Sequence, residues 1–266
     1  MVTILKPFNI NGYNHLLTNF YSILRLCCSI AVNWELLKSN PCHDVILPSN
    51  KKKEIQILSP EDFAVFCSHL DEIPLDQRVC FELALFGSLR RGEIMGILED
   101  EIPDDGRFYI QRTRYMHRIG NEFVKDTKTS SGERLCILPE PVIRDVRALR
   151  KHHIERKLKL GPLWTDSDYL IKEQNGEAFH PEQCAKRLSR YMERIGIKPI
   201  TFHALRHTYA SICISMGADP ATVSKRMGHA NVSTTLGIYT HLFEKKEEED
   251  KLASALGEML TKSVEK

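Results

Sequence analysis

The sequence lacks any long hydrophobic run, any internal repeat and any low-complexity tract. No stretch of about 18 apolar residues is present, so no membrane span is predicted, and we find no signal-peptide pattern. The net charge is only +2 over 266 residues, so composition alone does not indicate a nucleic-acid-binding protein. With 42% hydrophobic and 27% charged residues, the chain has the composition of a globular protein.

The sequence also lacks a Cys-x-x-Cys pair, the spacing typical of zinc and redox motifs. Most of its eight cysteines lie in apolar stretches with helical spacing. We therefore expect reduced, buried thiols in a cytoplasmic protein. The cysteines are Cys27, Cys28, Cys42, Cys67, Cys80, Cys136, Cys184 and Cys213.

Positive charge is concentrated in one part of the chain. Residues 107–160 contain 14 Lys/Arg against 6 Asp/Glu, whereas residues 244–250 are acidic. A DNA-facing surface requires such a local excess more than it requires a high net charge.

A segment near residue 201 combines an anion-binding helix end with histidine and arginine. Thr201 is a good N-cap residue, and His203 and Arg206 stand three apart on one face of the predicted helix. A helix N-terminus favours an anion, and a guanidinium grips phosphate oxygens bidentately. On these residues alone, a structural histidine beside a solvated arginine is an equally good interpretation.

His203 and His207 are four residues apart, as in the helical zinc-protease motif. Ala204 occupies the position where that motif needs a glutamate. We therefore predict no metal site and no cofactor.

A second helix is predicted to start at Asp219-Pro220 and to end at Gly228. His229 follows directly in the loop, and Tyr239 lies about two turns into the next predicted helix. A lone tyrosine at that spacing is usually a half-buried core residue.

Upstream, Gly87, Arg90 and Glu93 form a Gly-x-x-Arg-x-x-Glu pattern between two apolar helices. Gly87 is predicted to stop one helix and Glu93 to open the next, so that Arg90 projects from a tight turn. In isolation, Arg90 and Arg91 read as two surface arginines.

Together these segments resemble the tyrosine recombinase (phage integrase) family, which has His-x-x-Arg, then Gly-His some two dozen residues later, then a tyrosine ten residues on. The resemblance implies a mainly α fold with a small antiparallel β-sheet (α+β). It also implies a lysine on a β-hairpin, in a Lys-Thr setting with an arginine a few residues on. Lys128, with Arg134 downstream, fits this setting, and Lys125 is its rival. The implied catalytic residues are Arg90, Lys128, His203, Arg206, His229 and Tyr239.

By this resemblance, Tyr239 attacks the scissile phosphorus and forms a 3′-phosphotyrosyl link, without metal or ATP. Arg90 and Arg206 hold the non-bridging oxygens. His203 accepts the phenol proton, His229 bonds a non-bridging oxygen and Lys128 protonates the leaving 5′-oxygen.

Strand patterns surround Lys128. Residues 107–114 alternate, and residues 121–125 and 133–138 are predicted to be two strands joined by residues 126–132.

We predict four regions. Residues 1–50, with one amphipathic helix over 14–37, resemble the C-terminal part of a helical core-binding domain. Residues 51–58 form a basic linker, 59–243 the catalytic domain and 244–266 a C-terminal helix that packs on a neighbouring subunit. Relatives carry further helices upstream, so we expect either a fragment or truncated gene, or a start further upstream. Alternatively, the first helix only caps the catalytic domain, and the tail folds back on its own domain.

The implied partner is double-stranded DNA at attachment or recombination sites, bound by a homotetramer, with an accessory directionality factor as a further partner and no membrane. Basic residues are candidate DNA contacts, although lysines in a linker can simply be solvated. The candidates are Lys51, Lys52, Arg91, Lys125, Lys186, Arg187 and Arg226.

Three other functions remain open at this point. A type IB topoisomerase shares the same chemistry but relaxes DNA without strand exchange. A DNA-binding remnant of an integrase would dock without cutting. A purely structural helical protein would leave the six candidate residues scattered.

Overall fold

The described part of the chain is mainly helical, with four short strands. The structure is a computed structural model that describes residues 14–45, 47, 56–116, 122–126 and 134–228. The predicted fold class, mainly α with small antiparallel sheets, is confirmed. The helices are α1 (Asn14–Asn33), α2 (Pro60–Ser68), α3 (Leu75–Leu85), α4 (Arg91–Gly96), α5 (Glu140–Leu160), α6 (Pro181–Arg194), α7 (Phe202–Ser215) and α8 (Pro220–Met227). The strands are β1 (Arg107–Tyr109), β2 (Arg112–Met116), β3 (Glu122–Asp126) and β4 (Leu135–Ile137), and two short 3₁₀ segments lie at Leu70–Glu72 and Gly161–Leu163.

The chain divides into two units, residues 1–54 and 55–266. The finer boundaries 1–50, 51–58, 59–243 and 244–266 stay predictions. No helix in the described ranges is long and apolar enough to cross a membrane.

In the first unit, α1 ends four residues before the predicted boundary at 37. The reason is local, because Glu35 adopts a left-handed backbone with φ of 58° and turns the chain out of the helix. The chain then folds back, and the Asn40 side chain donates to the Arg25 carbonyl at 2.9 Å and to Ser29 Oγ at 2.7 Å.

Helix α3 is the centre of the second unit. Every residue from Val79 to Leu85 is buried, and α4, α5, α6 and α7 all pack against it. Aromatic rings from four elements meet beside it: Phe81 of α3 lies 6.3 Å from Phe66, 5.6 Å from Tyr191 and 5.9 Å from Phe202 between ring centroids. Because α3 is fixed on all sides, the turn that follows it has a defined position.

Helix starts follow the local signals in the sequence. The side chains of Ser59, Thr201 and Asp219 each accept a hydrogen bond from a backbone N–H in the first turn of α2, α7 and α8. Gly228 ends α8 with a left-handed backbone, as predicted.

The two strands predicted at residues 121–125 and 133–138 do not pair with each other, so they do not form the β-hairpin that the family resemblance implies. β3 pairs with β2, where Lys125 stands opposite Thr113, and β4 pairs with β1, where Phe108 stands opposite Cys136. Phe108 and Cys136 are both buried, so this pairing covers two apolar side chains. Strand propensity identifies strands, but burial selects their partners.

All eight cysteines are free thiols. Cys42, Cys80, Cys136 and Cys184 are buried, whereas Cys27 is exposed, so the expectation of burial was wrong for Cys27. Burial raises the pKa of Cys136 to about 12, which keeps this thiol protonated and unreactive at neutral pH.

The contact between α3 and α5 contains a pair of buried carboxyls, Glu82 and Asp145. Burial raises the pKa of Glu82, the charge of Asp145 and a hydrogen bond with it raise the pKa further, and Arg78 only partly opposes them, so the pKa is about 8. Arg78 Nε also lies 3.1 Å from Asp145 Oδ2. Glu82 therefore holds its proton at neutral pH.

We expect Glu82→Gln to stabilise the fold increasingly as pH rises. The folded-state pKa lies above the unfolded value, so wild-type stability is full below about pH 4.5 and falls as pH rises through about 8. The amide cannot ionise, so the free energy of unfolding of the variant should rise relative to the wild type by about 1.4 kcal/mol per pH unit between pH 5 and pH 8. Urea unfolding at pH 5, 6.5 and 8 measures the difference in the free energy of unfolding between variant and wild type. Glu177→Gln at an exposed site is the control. A difference in the free energy of unfolding between Glu82→Gln and wild type that does not change with pH would contradict the raised pKa of Glu82.

Candidate nucleic-acid cleavage site

The turn between α3 and α4 fixes one backbone carbonyl in the interior. Ser88 has φ of 54°, which is uncommon for a residue other than glycine. Its carbonyl oxygen accepts a hydrogen bond from Arg206 Nη1 at 2.6 Å and a second from Arg134 Nη2 at 3.3 Å. Two arginines from distant segments thus meet at the turn that leads to Arg90.

Arg90 is the N-cap of α4 and is held by Glu93 in the first turn. The Arg90 backbone N–H donates to Glu93 Oε2 at 2.8 Å, and Arg90 Nη1 donates to Glu93 Oε1 at 2.7 Å. The Arg90 side chain remains 41% exposed, whereas that of Glu93 is only 2% exposed. Glu93 therefore holds Arg90 at the start of α4, and Arg90 still reaches solvent.

Arg134, directly before β4, donates the other two hydrogen bonds to the Glu93 carboxylate. Its Nη1 donates to Glu93 Oε1 at 2.9 Å and its Nη2 to Glu93 Oε2 at 2.7 Å. Burial by itself opposes ionisation of Glu93, but the hydrogen bonds and charges of Arg134 and Arg90 outweigh burial and lower the pKa to about 2. Glu93 is thus a buried carboxylate that accepts four hydrogen bonds.

The end of α8 reaches the same cluster. The Arg226 carbonyl accepts from Arg134 Nε at 2.8 Å, and the Gly228 carbonyl accepts from Arg90 Nη2 at 3.1 Å. Gly228 has φ of 60°, and a Cβ at this position would lie 2.9 Å from Arg134 Cδ. We call Ser88, Arg90, Glu93, Arg134, Arg206, Arg226 and Gly228 the Glu93 network.

The start of α7 places a histidine beside the arginines. Arg206 is fully buried and His203 is exposed. Partial removal from water lowers the pKa of His203, and the positive charges of Arg206 and Arg90 lower it further. The His207 ring lies 4.4 Å from the His203 ring, edge to face. The lowered pKa favours the neutral imidazole of His203, which is the form that can accept a proton.

Three of the six predicted catalytic residues, Arg90, His203 and Arg206, thus come together in space. The other three, Lys128, His229 and Tyr239, lie outside the described residues, as do the linker lysines Lys51 and Lys52. Among the described residues, no group of three or more His, Cys, Asp or Glu side chains is placed to hold a metal ion.

The predicted DNA contacts differ in how accessible they are. Arg91, Lys125, Lys186 and Arg226 are exposed, and Arg226 Nη1 also donates to Tyr209 Oη at 3.2 Å. Arg187 is committed to ion pairs with Asp76 at 2.9 Å and Glu173 at 3.2 Å. These contacts stay predictions.

The sequence predicts no functional role for Arg134 or Ser88. Arg134 is predicted only as the arginine that follows the Lys128-Thr129 pair. A sequence signal existed for Ser88, since a Gly-Ser pair after a helix marks a turn. Nothing local indicated that Arg134 would be buried against Glu93.

Residues 56–246 match the Phage integrase family, and the chain belongs to that family. Among its relatives is a tyrosine recombinase XerC-like protein of Caldanaerobacter subterraneus subsp. tengcongensis, 27% identical over 254 residues. That alignment covers 89% of this chain and 63% of the relative. The ICEBs1 integrase of Bacillus subtilis is 24% identical over 248 residues, which cover 93% of this chain and 66% of the integrase. The chain thus spans about two-thirds of the length of these relatives.

Solved structures share the fold. The Tn1549 transposon integrase in complex with transposon right end DNA superposes with a TM-score of 0.74 at 19% identity, over 89% of this chain and 78% of that chain. The XerA recombinase superposes with a TM-score of 0.57 at 19% identity, over 98% and 84% of the two chains.

We expect Gly228→Ala to destabilise the protein more than Gly217→Ala. Both glycines have positive φ, so each alanine costs about 1 kcal/mol in backbone strain. A Cβ at Gly217 meets nothing within 4 Å, whereas at Gly228 it meets the hydrogen-bonded Arg134 side chain, which adds about 1–3 kcal/mol. Urea unfolding of the two variants measures the difference, and equal losses would show that Arg134 is not fixed against Gly228.

We also expect His203 to titrate below its ordinary pKa of 6.5. Arg90→Met removes one of the charges that lower this pKa, so the His203 pKa should rise. Arg90→Lys keeps the charge and is the matched control. NMR titration of the imidazole C–H signals, assigned with His203→Gln, measures the pKa. A His203 pKa at or above 6.5 in the wild type would contradict the described geometry.

Proposed function

We propose that this chain cuts and rejoins double-stranded DNA at specific sites through a 3′-phosphotyrosyl intermediate on Tyr239, without metal or ATP. The family is one of tyrosine recombinases and integrases. The observation that carries the proposal is the convergence of Arg90, Arg206 and His203, which come from the α3–α4 turn and the start of α7, so that both arginine charges act on one imidazole.

The charges of this cluster suit a phosphodiester. Arg90, Arg134 and Arg206 bring three positive charges, and Glu93 brings one negative charge. The surplus favours a phosphate and, still more, the extra negative charge of its pentacoordinate transition state. Arg90, whose side chain is 41% exposed, and Arg206 hold the non-bridging oxygens.

Three side chains transfer protons in the proposed cleavage step. Tyr239 Oη bonds to phosphorus while its proton passes to the neutral His203, and the phosphorus–5′-oxygen bond breaks as Lys128 protonates the leaving oxygen. His229 donates to a non-bridging oxygen. The phosphotyrosyl bond retains the energy of the diester, so a 5′-hydroxyl from another strand reverses the step. Lys128, His229 and Tyr239 carry these roles by their sequence motifs.

Membership of this family supports a further proposal about partners and assembly. The Tn1549 integrase was solved in complex with DNA, and we propose that this chain binds duplex DNA in the cytoplasm as a homotetramer. Residues 244–266 supply the subunit contact, and an accessory factor sets direction. Exposed Arg91, Lys125, Lys186 and Arg226 are the first candidates for phosphate contacts.

A covalent trapping experiment tests the proposal. Duplexes that bind the full chain are selected from a random-sequence pool, and each is nicked in turn at every position of the selected site. A nick next to the cleavage position lets the short 5′-hydroxyl strand diffuse away, so the protein–DNA adduct accumulates. We expect an adduct that resists denaturation, is absent with Tyr239→Phe, and persists with Tyr109→Phe at an exposed tyrosine of β1.

The other outcomes separate the alternatives. DNA binding without an adduct at any nick position would contradict the proposal and indicate a DNA-binding remnant. Adduct formation with plasmid relaxation but without strand exchange between two duplexes would indicate a topoisomerase-like activity.

A further inference from the structure

We propose that Arg134 is a positioning residue for DNA cleavage, which aligns the candidate catalytic segments and cancels the charge of Glu93 so that Arg90 can serve the phosphate. This inference rests on the proposed function. It concerns a buried side chain, only 5% exposed, in which all three guanidinium nitrogens already donate to protein groups.

One guanidinium makes four hydrogen bonds to three segments of the chain. Nε donates to the Arg226 carbonyl, Nη1 to Glu93, and Nη2 to both Glu93 and the Ser88 carbonyl. The partners lie at the end of α8, in α4 and in the α3–α4 turn. A planar fork with five N–H donors matches this set, whereas an ammonium does not.

Each of these partners is close in sequence to a candidate catalytic residue. Ser88 stands two residues before Arg90, and its carbonyl also binds Arg206. Arg226 stands three residues before His229, and Arg134 itself stands six residues after Lys128. Arg134 thus connects the segments that carry four of the six candidates.

The charge of Arg134 has a second effect that does not depend on this alignment. Glu93 binds both Arg90 and Arg134, so the three groups together carry one net positive charge. Without Arg134, Glu93 and Arg90 would form a neutral pair, and Arg90 would lose most of its attraction for a phosphate. This effect weakens the chemical step more than it weakens DNA binding, which rests on many phosphate contacts.

A purely structural role for Arg134 makes a different prediction. A buried arginine that only holds the fold would, when replaced, lower stability and DNA binding together with cleavage. Removal of Glu93 as well would then add a second defect. If Arg134 acts by cancelling the charge of Glu93, loss of that charge should instead restore part of the cleavage rate.

The experiment measures single-turnover adduct formation at saturating protein, together with the dissociation constant, on the nicked duplexes selected for the wild type. We expect Arg134→Met to slow adduct formation about 100-fold with less than a roughly threefold change in affinity. Arg134→Lys keeps the charge but loses the planar guanidinium, so adduct formation should be about tenfold slower than in the wild type. The double variant Arg134→Met/Glu93→Gln should form adduct at least about fivefold faster than Arg134→Met alone.

Arg150 provides the matched control. It is a half-buried arginine that donates to the carbonyls of Glu99 at 2.6 Å and Ile102 at 2.8 Å, none of which belongs to the Glu93 network. Arg150→Met should change the adduct rate less than about threefold. If Arg134→Met does not fold, the adduct rate and affinity of Arg134→Lys decide the question.

Failures of the two proposals are distinguishable. A wild-type chain that forms no adduct contradicts the proposed function, and the role of Arg134 with it. If the wild-type chain does form the adduct, three results would contradict the role of Arg134 alone. The Arg134 variants could form adduct at the wild-type rate, or their DNA affinity could fall as far as their rate. The double variant could also form adduct no faster than Arg134→Met.

Discussion

The described structure around the site depends on one buried interaction, the carboxylate of Glu93 between two guanidiniums. Each carboxylate oxygen accepts two hydrogen bonds, one from Arg90 and one from Arg134. An isolated buried carboxylate would be prohibitively costly, and a complete set of donors is what makes it tolerable. Because those donors come from separate segments, the ionised state of Glu93 requires α4, the start of β4 and the α3–α4 turn to be in place together.

This constraint explains how a chain with a net charge of only +2 builds a strongly positive site. Three arginines converge where α3, α4, α7 and α8 meet, and one carboxylate offsets one of them. The same positive charges lower the pKa of His203. Under the proposed function, phosphate binding by the arginines and proton acceptance by His203 therefore have a common electrostatic origin.

Local features of the fold could be predicted from the sequence. Ser59, Thr201, Asp219 and Gly228 mark helix ends through bonds within one turn, and such bonds depend only on near neighbours. Contacts between distant segments could not be predicted in this way. The pairing of β4 with β1 depends on burial of Phe108 and Cys136, which no local pattern encodes.

The candidate site shows the same division. Arg90, His203 and Arg206 were found through motif spacing and a family resemblance, and the structure brings them together. The role of Arg134 could not be predicted, because its partners Glu93 and Arg226 lie 41 and 92 residues away. The left-handed backbone of Glu35, which ends α1 early, also could not be predicted from the spacing of apolar residues.

The ionisation of Glu93 tests this account most directly. Carbon-13 labelling of glutamate side-chain carboxyls, with Glu93→Gln to assign the signal, allows its pKa to be measured by NMR between pH 2 and 6. The Glu93 signal should remain that of a carboxylate as the pH falls from 6 to about 3, and should titrate only near pH 2. A Glu93 carboxyl that titrates near its ordinary value of 4.5 would show that Arg134 and Arg90 do not hold it as described, and would contradict the central claim.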